Sequence, residues 1–489
     1  MKHTLLLIAL FGLLGSCTAP EKEATETSIP EANSKKTATK DRQLTESEIQ
    51  DNRIYRRAVE AAIWSQPLMG TNQTRAAIRS VGGDHNSVIY LSRPGNWKYR
   101  ILTPNNAVLY AMVLTNTAID GPMVIELPSS RGAAIVAGGI LDSYQDPLND
   151  VGLGGDDAGA GGKYLLFEAG DNSPAPPGYI PVRSERNIAW TMLRLVPRSL
   201  DEADLDATIE EIKKLRVYPL SQAGNPAKTE FIDIYDKIFD TVFPMDATYY
   251  DVLAGILNEE TVTDLDKAFQ SMMTSFGYRR GEPLAPSAET RAILDRAIKD
   301  AARELVFAVA GIAPGFWDGS SWTALGREPT FSTGFSFITE DVLDYDLRGA
   351  MYSYVCCGGI KLGAGTNLYL KASYDGAGKL LDGGTNYRVT VPANAPTEQF
   401  WSFMAYDALT AVYYEDVTRP GLSSLTTDLK VNPDGSTDVY FGPDMPVGNE
   451  SNWIPTKPNT TLLILFRLYG ATDGARDGSW VLPGLGRLD

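Results

Sequence analysis

Val88-Ile89-Tyr90-Leu91, Trp97-Lys98-Tyr99-Arg100-Ile101 and Val108-Leu109-Tyr110-Ala111-Met112-Val113 are the stretches that decide the fold. Each is short, rich in β-branched or aromatic side chains, and closed by Pro, Gly or Asn, which is how strands rather than helices are punctuated. Met123-Val124-Ile125-Glu126-Leu127 and Tyr164-Leu165-Leu166-Phe167 continue the series. Strands that follow one another without intervening helical patterns predict a β-sandwich, not alternating β-α units. Between the last two runs, Gly152 to Gly162 holds six glycines and two aspartates. It lacks the G-K-[S/T] of a phosphate loop, so it reads as a hairpin loop, with closure over a ligand as the alternative. Its G-G-K ending sets Lys163 at the start of a strand.

Working outward, Thr45 and Glu48 have capping-box spacing, and Ile49, Tyr55, Val59, Ala62 and Ile63 recur at helical intervals up to Pro67. Helical periodicity returns near Ser199. Leu205, Ile209, Ile212 and Leu215 predict one helix, and Phe231, Ile234, Tyr235 and Ile238 a second. Val262, Leu265, Phe269, Met272 and Phe276 predict a third, stopped by Gly277; Ile293, Ala297, Ala301 and Leu305 predict a fourth. After Gly319 the pattern is β again: Tyr387, Val389 and Val391 alternate with polar residues, and Asn432-Pro433-Asp434-Gly435-Ser436 is a turn. Leu462 to Leu468 is apolar on both faces, which implies a strand buried on both sides. Arg467 lies inside it. A guanidinium there needs a partner: a structural ion pair is the first reading, a cleft-facing ligand for an anionic or sugar group the second.

The amino terminus carries an address. Lys2 and His3, the apolar run Leu5 to Leu14 and Leu14-Gly15-Ser16-Cys17 form an export signal of residues 1–16, too short to span a bilayer comfortably. Cys17 at the cut resembles the bacterial lipobox, which implies acylation of its thiol and attachment to membrane through the acyl chains. Residues 17–44, with no aromatic, read as a flexible tether. Thr18 rather than aspartate after Cys17 resembles lipoproteins released toward the outer membrane, in a cell that has one.

The net charge of −17 disfavours nucleic acid and provides no polybasic patch for lipid headgroups. The other cysteines, Cys356 and Cys357, are neighbours, read as thiols on a strand with at least one buried; a bridge between them is strained. Only His3 and His85 exist, which removes most zinc catalytic sites and leaves His85, read as an exposed loop residue, as the sole base for a serine triad. No metal or cofactor is expected; Asp434 to Asp438 lacks EF-hand spacing.

Phe400-Trp401-Ser402-Phe403-Met404-Ala405-Tyr406-Asp407, the Asn432–Ser436 turn, Asn452-Trp453-Ile454-Pro455 and Arg467-Leu468-Tyr469-Gly470 follow in order, flanked by Leu381-Asp382-Gly383 and Trp480-Val481-Leu482-Pro483. This resembles the bacterial family called domain of unknown function 1214. Pro104-Asn105-Asn106 with Leu109-Tyr110, Gly121-Pro122, Gly161-Gly162-Lys163-Tyr164 and Gly178-Tyr179 resemble its companion, domain of unknown function 1254. The resemblance implies a mainly β architecture: an immunoglobulin-like β-sandwich with its leading helix over 45–199, a helical segment over 200–319 and a jelly-roll β-sandwich over 320–489. It implies no reaction. The chain departs from the pattern around Arg131-Gly132-Ala133 and at Gly363-Ala364-Gly365-Thr366-Asn367.

Three functions are compatible with these features. The favoured one is a lipid-anchored cell-envelope protein that binds a glycan or other small ligand, with Lys163, Trp401, Tyr406, Trp453, Arg467 and Tyr469 as candidate contacts, since sugars stack on aromatic faces. The second is a carboxylate-based hydrolase or lyase acting on an envelope polysaccharide or ester, drawing on Asp142, Asp146, Asp382 and Asp407. The third is a structural or assembly lipoprotein whose protein partners are unknown.

Overall fold

The computed structural model describes residues 42–488 apart from 153, 312, 328, 329, 331 and 356–366. The leader, Cys17, Cys356, Cys357 and most of the Gly363–Asn367 block lie outside the described residues.

The early strand pattern produces two facing sheets. One has six strands in the order Phe231–Asp233, Val88–Tyr90, Leu109–Asn116, Ile188–Pro197, Ala134–Asp142 and Pro147–Gly152; the other has four, Arg216–Pro219, Met123–Leu127, Gly162–Leu166 and Ile180–Val182. Leu109, Ala111 and Val113 project into the space between them and meet Met123, Ile125 and Tyr164. Tyr110, Met112 and Leu114, alternating with those residues, face the opposite way into a second core. Burial on both faces is why this run reads as continuously apolar.

The carboxy-terminal half repeats the plan. Thr323–Ala324, Leu368–Ala372, Leu462–Ala471, Thr397–Asp407 and Gly421–Ser423 form a five-stranded sheet. It faces a four-stranded sheet of Trp453–Pro455, Thr437–Gly442, Tyr387–Val391 and Gly486–Arg487. Leu462, Ile464, Phe466 and Leu468 fill the interior between these sheets, whereas Leu463, Leu465 and Tyr469 turn outward.

The outward faces of the two large sheets and the helices share one central core. The helices are Glu46–Trp64, Gln66–Ser80, Thr248–Glu259, Asp264–Met273, Ala288–Ala310 and Tyr345–Tyr352. Trp64, 1% exposed, stacks on Phe269 with ring centroids 4.8 Å apart. Burial of a side chain this large contributes on the order of 2–3 kcal/mol. Glu46–Asp489 thus form one compact unit.

Several expectations are corrected. Pro67 does not close the leading helix; that helix ends at Trp64, and Pro67 sits in the first turn of the next, where a missing N–H costs nothing. Ile49 is 55% exposed and lies outside the core. Residues 231–238 are not helical. Phe231–Asp233 pairs in parallel with Val88–Tyr90, and the Asp233 carboxylate accepts from Ser92 N and Tyr235 N, turning the chain. Ring and β-branched residues at these spacings satisfy a strand and turn as readily as a helix. The helix Thr248–Glu259 was not anticipated, nor was Tyr345–Tyr352 in a segment read as β. Trp97 and Lys98 are in a turn, leaving Tyr99–Arg100 as the strand. The expected stop at Gly277 is present, with φ of 102°.

Candidate functional site

Arg467 is the natural starting point, being a charge inside an apolar strand. It is 4% exposed, and among the described residues no carboxylate lies within ion-pair distance of it. The expected structural ion pair is therefore not formed with any described residue. Its guanidinium donates to Tyr406 Oη at 2.9 Å and to the Thr103 carbonyl at 2.8 Å, with Met404 Sδ 3.5 Å away. The Tyr369 and Tyr406 rings lie 5.4 and 5.9 Å from its central carbon. Carbonyls, hydroxyls and rings solvate a cation without neutralising it.

The surroundings come from both halves of the chain. Tyr369 stands directly across from Arg467 in the five-stranded sheet, and Tyr110 directly across from Arg194 in the six-stranded sheet. Each large sheet thus contributes one tyrosine–arginine cross-strand pair. Asn105 ties Tyr110 of the first sheet to Tyr469 of the second: its backbone N–H donates to Tyr110 Oη at 3.0 Å, and its Nδ2 donates to Tyr469 Oη at 3.1 Å. Tyr469 stacks on Phe400 at 4.4 Å. The neighbouring Pro104 carbonyl accepts from Tyr406 Oη at 2.5 Å and from Tyr413 Oη at 2.8 Å. Thr103 holds φ of 40°, a conformation an L-residue adopts only when its surroundings dictate it. Its N–H and hydroxyl are fixed by the carbonyls of Ala411 and Tyr354, both at 2.7 Å.

Burial dominates the electrostatics. It pushes the Tyr406 phenol up to about 12, against the pull of Arg467, and raises the Tyr110, Tyr369 and Tyr413 phenols as well. All four are neutral hydroxyls at physiological pH, while Arg467 keeps its charge. Positive potential and hydroxyl donors without a neighbouring carboxylate are the chemistry of an anion site.

Of the residues singled out in the sequence, this junction gathers Tyr406, Arg467 and Tyr469. Trp401 lies on the opposite face of the same strand, 6% exposed and edge-on to Phe403. Trp453 belongs to the outer four-stranded sheet and donates Nε1 to the Gly442 carbonyl at 3.0 Å. Neither tryptophan joins the junction, and with Tyr406 and Tyr469 buried these four residues do not form an exposed aromatic platform. Lys163 is a surface residue 3.1 Å from Glu126. The glycine-rich loop beside it is pinned by Asp157, whose carboxylate accepts from Gly152 N, Gly161 N and Tyr164 Oη; it does not read as a closing flap. His85 is half-buried rather than exposed, and burial lowers its pKa.

The four aspartates do not form one cleft. Asp382 caps a turn through Gly384 N and the Thr385 hydroxyl, and Asp407 accepts from Leu409 N at 3.0 Å. Asp434 likewise caps its own turn at Ser436. Asp142 and Asp146 share the tight turn after the Ala134–Asp142 strand, but Asp142 is walled off. Its Oδ1 accepts from Tyr144 N and Asp146 N, and its Oδ2 lies 3.5 Å from Arg186. Arg186 also forks onto Asp266 at 3.0 and 3.1 Å, and stacks 3.8 Å over the Tyr144 ring. Asp266 closes the capping box of the Asp264–Met273 helix. The cluster therefore fastens a sheet turn to a helix. Burial raises its remaining acids: Asp146, also facing Asp142, to about 8, and Glu260 to about 7.

The partners Asn105, Tyr110, Arg194 and Tyr369 were not singled out as ligands. Arg194 carries the same sequence signal as Arg467, a charge within an apolar strand, Met192-Leu193-Arg194-Leu195.

Two layered pairs of sheets thus meet at a shared arginine–tyrosine junction. Residues 85–219 match the family described as Protein of unknown function (DUF1254), and residues 366–473 the one described as Protein of unknown function (DUF1214). The chain combines these two domains in that order. It is similar to the VPA0106 protein from Vibrio parahaemolyticus, with 17% identity and a TM-score of 0.50 over 89% of this chain and 100% of that one; this likeness concerns the fold alone. An uncharacterized protein from Burkholderia cenocepacia is similar at 11% identity and a TM-score of 0.41, covering 90% of this chain and 96% of that one. No curated protein matches the chain.

Proposed function

We propose that this protein is an exported, lipid-anchored component of the cell envelope that binds a small acidic ligand, carboxylate- or phosphate-bearing, between its two layered halves. We read those halves as immunoglobulin-like and jelly-roll sandwiches. The observation that carries the binding reading is Arg467, a buried cation with hydrogen bonds and no counter-ion among the described residues. Burying an unneutralised charge costs several kcal/mol, a cost an anionic occupant would offset. An acidic sugar of the envelope combines this chemistry with the expected address. The carboxylate-hydrolase reading loses support, because Asp142, Asp382 and Asp407 are engaged in turns or walled off, which leaves Asp146 without a paired free carboxylate among the four.

Calorimetric titration of the purified protein with galacturonate, galactose and inorganic phosphate tests this. Galacturonate or phosphate should bind while galactose does not, and Arg467→Met should abolish the binding. Absence of any anion binding, or equal binding by the variant, would refute it.

A further inference from the structure

The five-stranded sheet carries a second unusual cation on the same face as Arg467. Lys371 lies two residues beyond Tyr369 on the Leu368–Ala372 strand, so the two side chains leave the sheet on the same side. The strand register sets Tyr369, Arg467 and Ser402 in one cross-strand row, and Thr323, Lys371, Leu465 and Met404 in the next. Lys371 is therefore the diagonal neighbour of Arg467, at a backbone separation of roughly 7–8 Å that two long side chains readily bridge.

Lys371 is fully buried, and its Nζ has no hydrogen-bond partner among the described residues. The hydroxyls beside both cations are orphaned too. Thr323 Oγ1, directly across from Lys371, and Ser402 Oγ, directly across from Arg467, are buried without partners among the described residues. Unsatisfied buried donors are uncommon in folded proteins. Three of them on one face, around an arginine without a counter-ion among the described residues, mark a place for polar atoms that the described residues do not supply. Burial alone holds the Lys371 amine down at about 7, far below the ~10.4 of an ordinary lysine. A large fraction of it is thus an uncharged nucleophile at neutral pH.

We propose that Lys371 forms an imine with the carbonyl carbon of a small oxo acid whose carboxylate is held by Arg467. This rests on the anion-binding reading of the junction and adds to it the reactive class of ligand. The Nζ lone pair attacks the carbonyl carbon, and the C=O π pair moves to oxygen, which takes up a proton. The carbinolamine then loses that oxygen as water. The net change is amine plus carbonyl to imine plus water, with no oxidant or reductant. Thr323 Oγ1 is the hydroxyl placed to hydrogen-bond the departing oxygen.

The test is reductive trapping on the full-length protein at neutral pH. Pyruvate is added with sodium cyanoborohydride, acetone serves as the uncharged control, and adducts are located by peptide mass spectrometry. Saturable labelling at Lys371 by pyruvate, at least tenfold faster than at surface lysines, is expected. Lys371→Met should lose that adduct; should Met fail to fold there, Lys371→Arg keeps the cation and cannot form the imine. Arg467→Met should lower pyruvate labelling at Lys371 to the acetone level. Labelling spread evenly over surface lysines, with none at Lys371, overturns the proposal. Equal labelling of Lys371 by acetone and pyruvate overturns the role given to Arg467. Pyruvate-selective labelling of Lys371 in a protein that binds neither galacturonate nor phosphate sustains the imine and rejects the acidic sugar.

Discussion

Glu260 should make this protein less stable as the pH rises from acid to neutral, and Glu260→Gln should remove that loss. The side chain is 2% exposed, and Oε2 accepts from Thr261 N at 3.1 Å. Burial outweighs the favourable charge of Arg186 and lifts the carboxyl from 4.5 to about 7. At about 1.4 kcal/mol per tenfold change in proton affinity, this corresponds to about 3 kcal/mol. The sign follows from proton counting. Between the two values the unfolded chain has released the proton and the folded chain has kept it, so stability falls with rising pH across that window and levels off above it. Below the unfolded value both states are protonated and the penalty vanishes. A neutral glutamine of the same shape still accepts from Thr261 N and carries no penalty. Urea denaturation at about pH 8 should therefore show the variant more stable than the wild type by about 2–3 kcal/mol, with the difference disappearing near pH 4. Parallel stability curves for the two proteins across this range, or a variant that is weaker at every pH, would refute the reasoning.

Arg186→Met should act in the opposite direction. It strips the shared cation from Asp142 and Asp266, both buried, and should cost about 3–5 kcal/mol in the same urea assay at neutral pH. Cys17→Ser bears on the address: fractionation of cells should find the wild type with the membranes and the variant released from them, and identical distribution would remove the anchor.

The layering was legible in the sequence because its strands are punctuated by turn residues, and those at the centre of each large sheet are apolar on both faces. Leu462 to Leu468 declared its position outright. What could not be read was which segments pack on those faces. Phe231 to Ile238 has spacings common to a helix and to a strand with a turn, and pairing with Val88–Tyr90, more than a hundred residues away, decides between them. Arg467 stands out because a charge in an apolar strand is conspicuous, and Tyr469 through the Arg467-Leu468-Tyr469-Gly470 block. The same signal was present at Arg194 and Lys371 and was passed over. The tryptophans are ambiguous for a physical reason: an indole that fills the space between two sheets, as Trp401 does, and one that faces a sugar look alike in a sequence. The acidic cluster was half visible, since Asp142 and Asp146 share one turn, whereas their partners Arg186, Glu260 and Asp266 are brought in by tertiary packing.

Thr103-Pro104-Asn105 belongs to the first half of the chain, yet its carbonyls and amides satisfy Tyr406, Tyr413, Arg467 and Tyr469 of the second. The tripeptide works as a keystone, so severing the two matched segments would leave each with an open wall of unquenched phenols or a stranded guanidinium. A molecule lodged beside it would touch both parts and tighten them together, turning occupancy into a gain in the cooperativity of the whole.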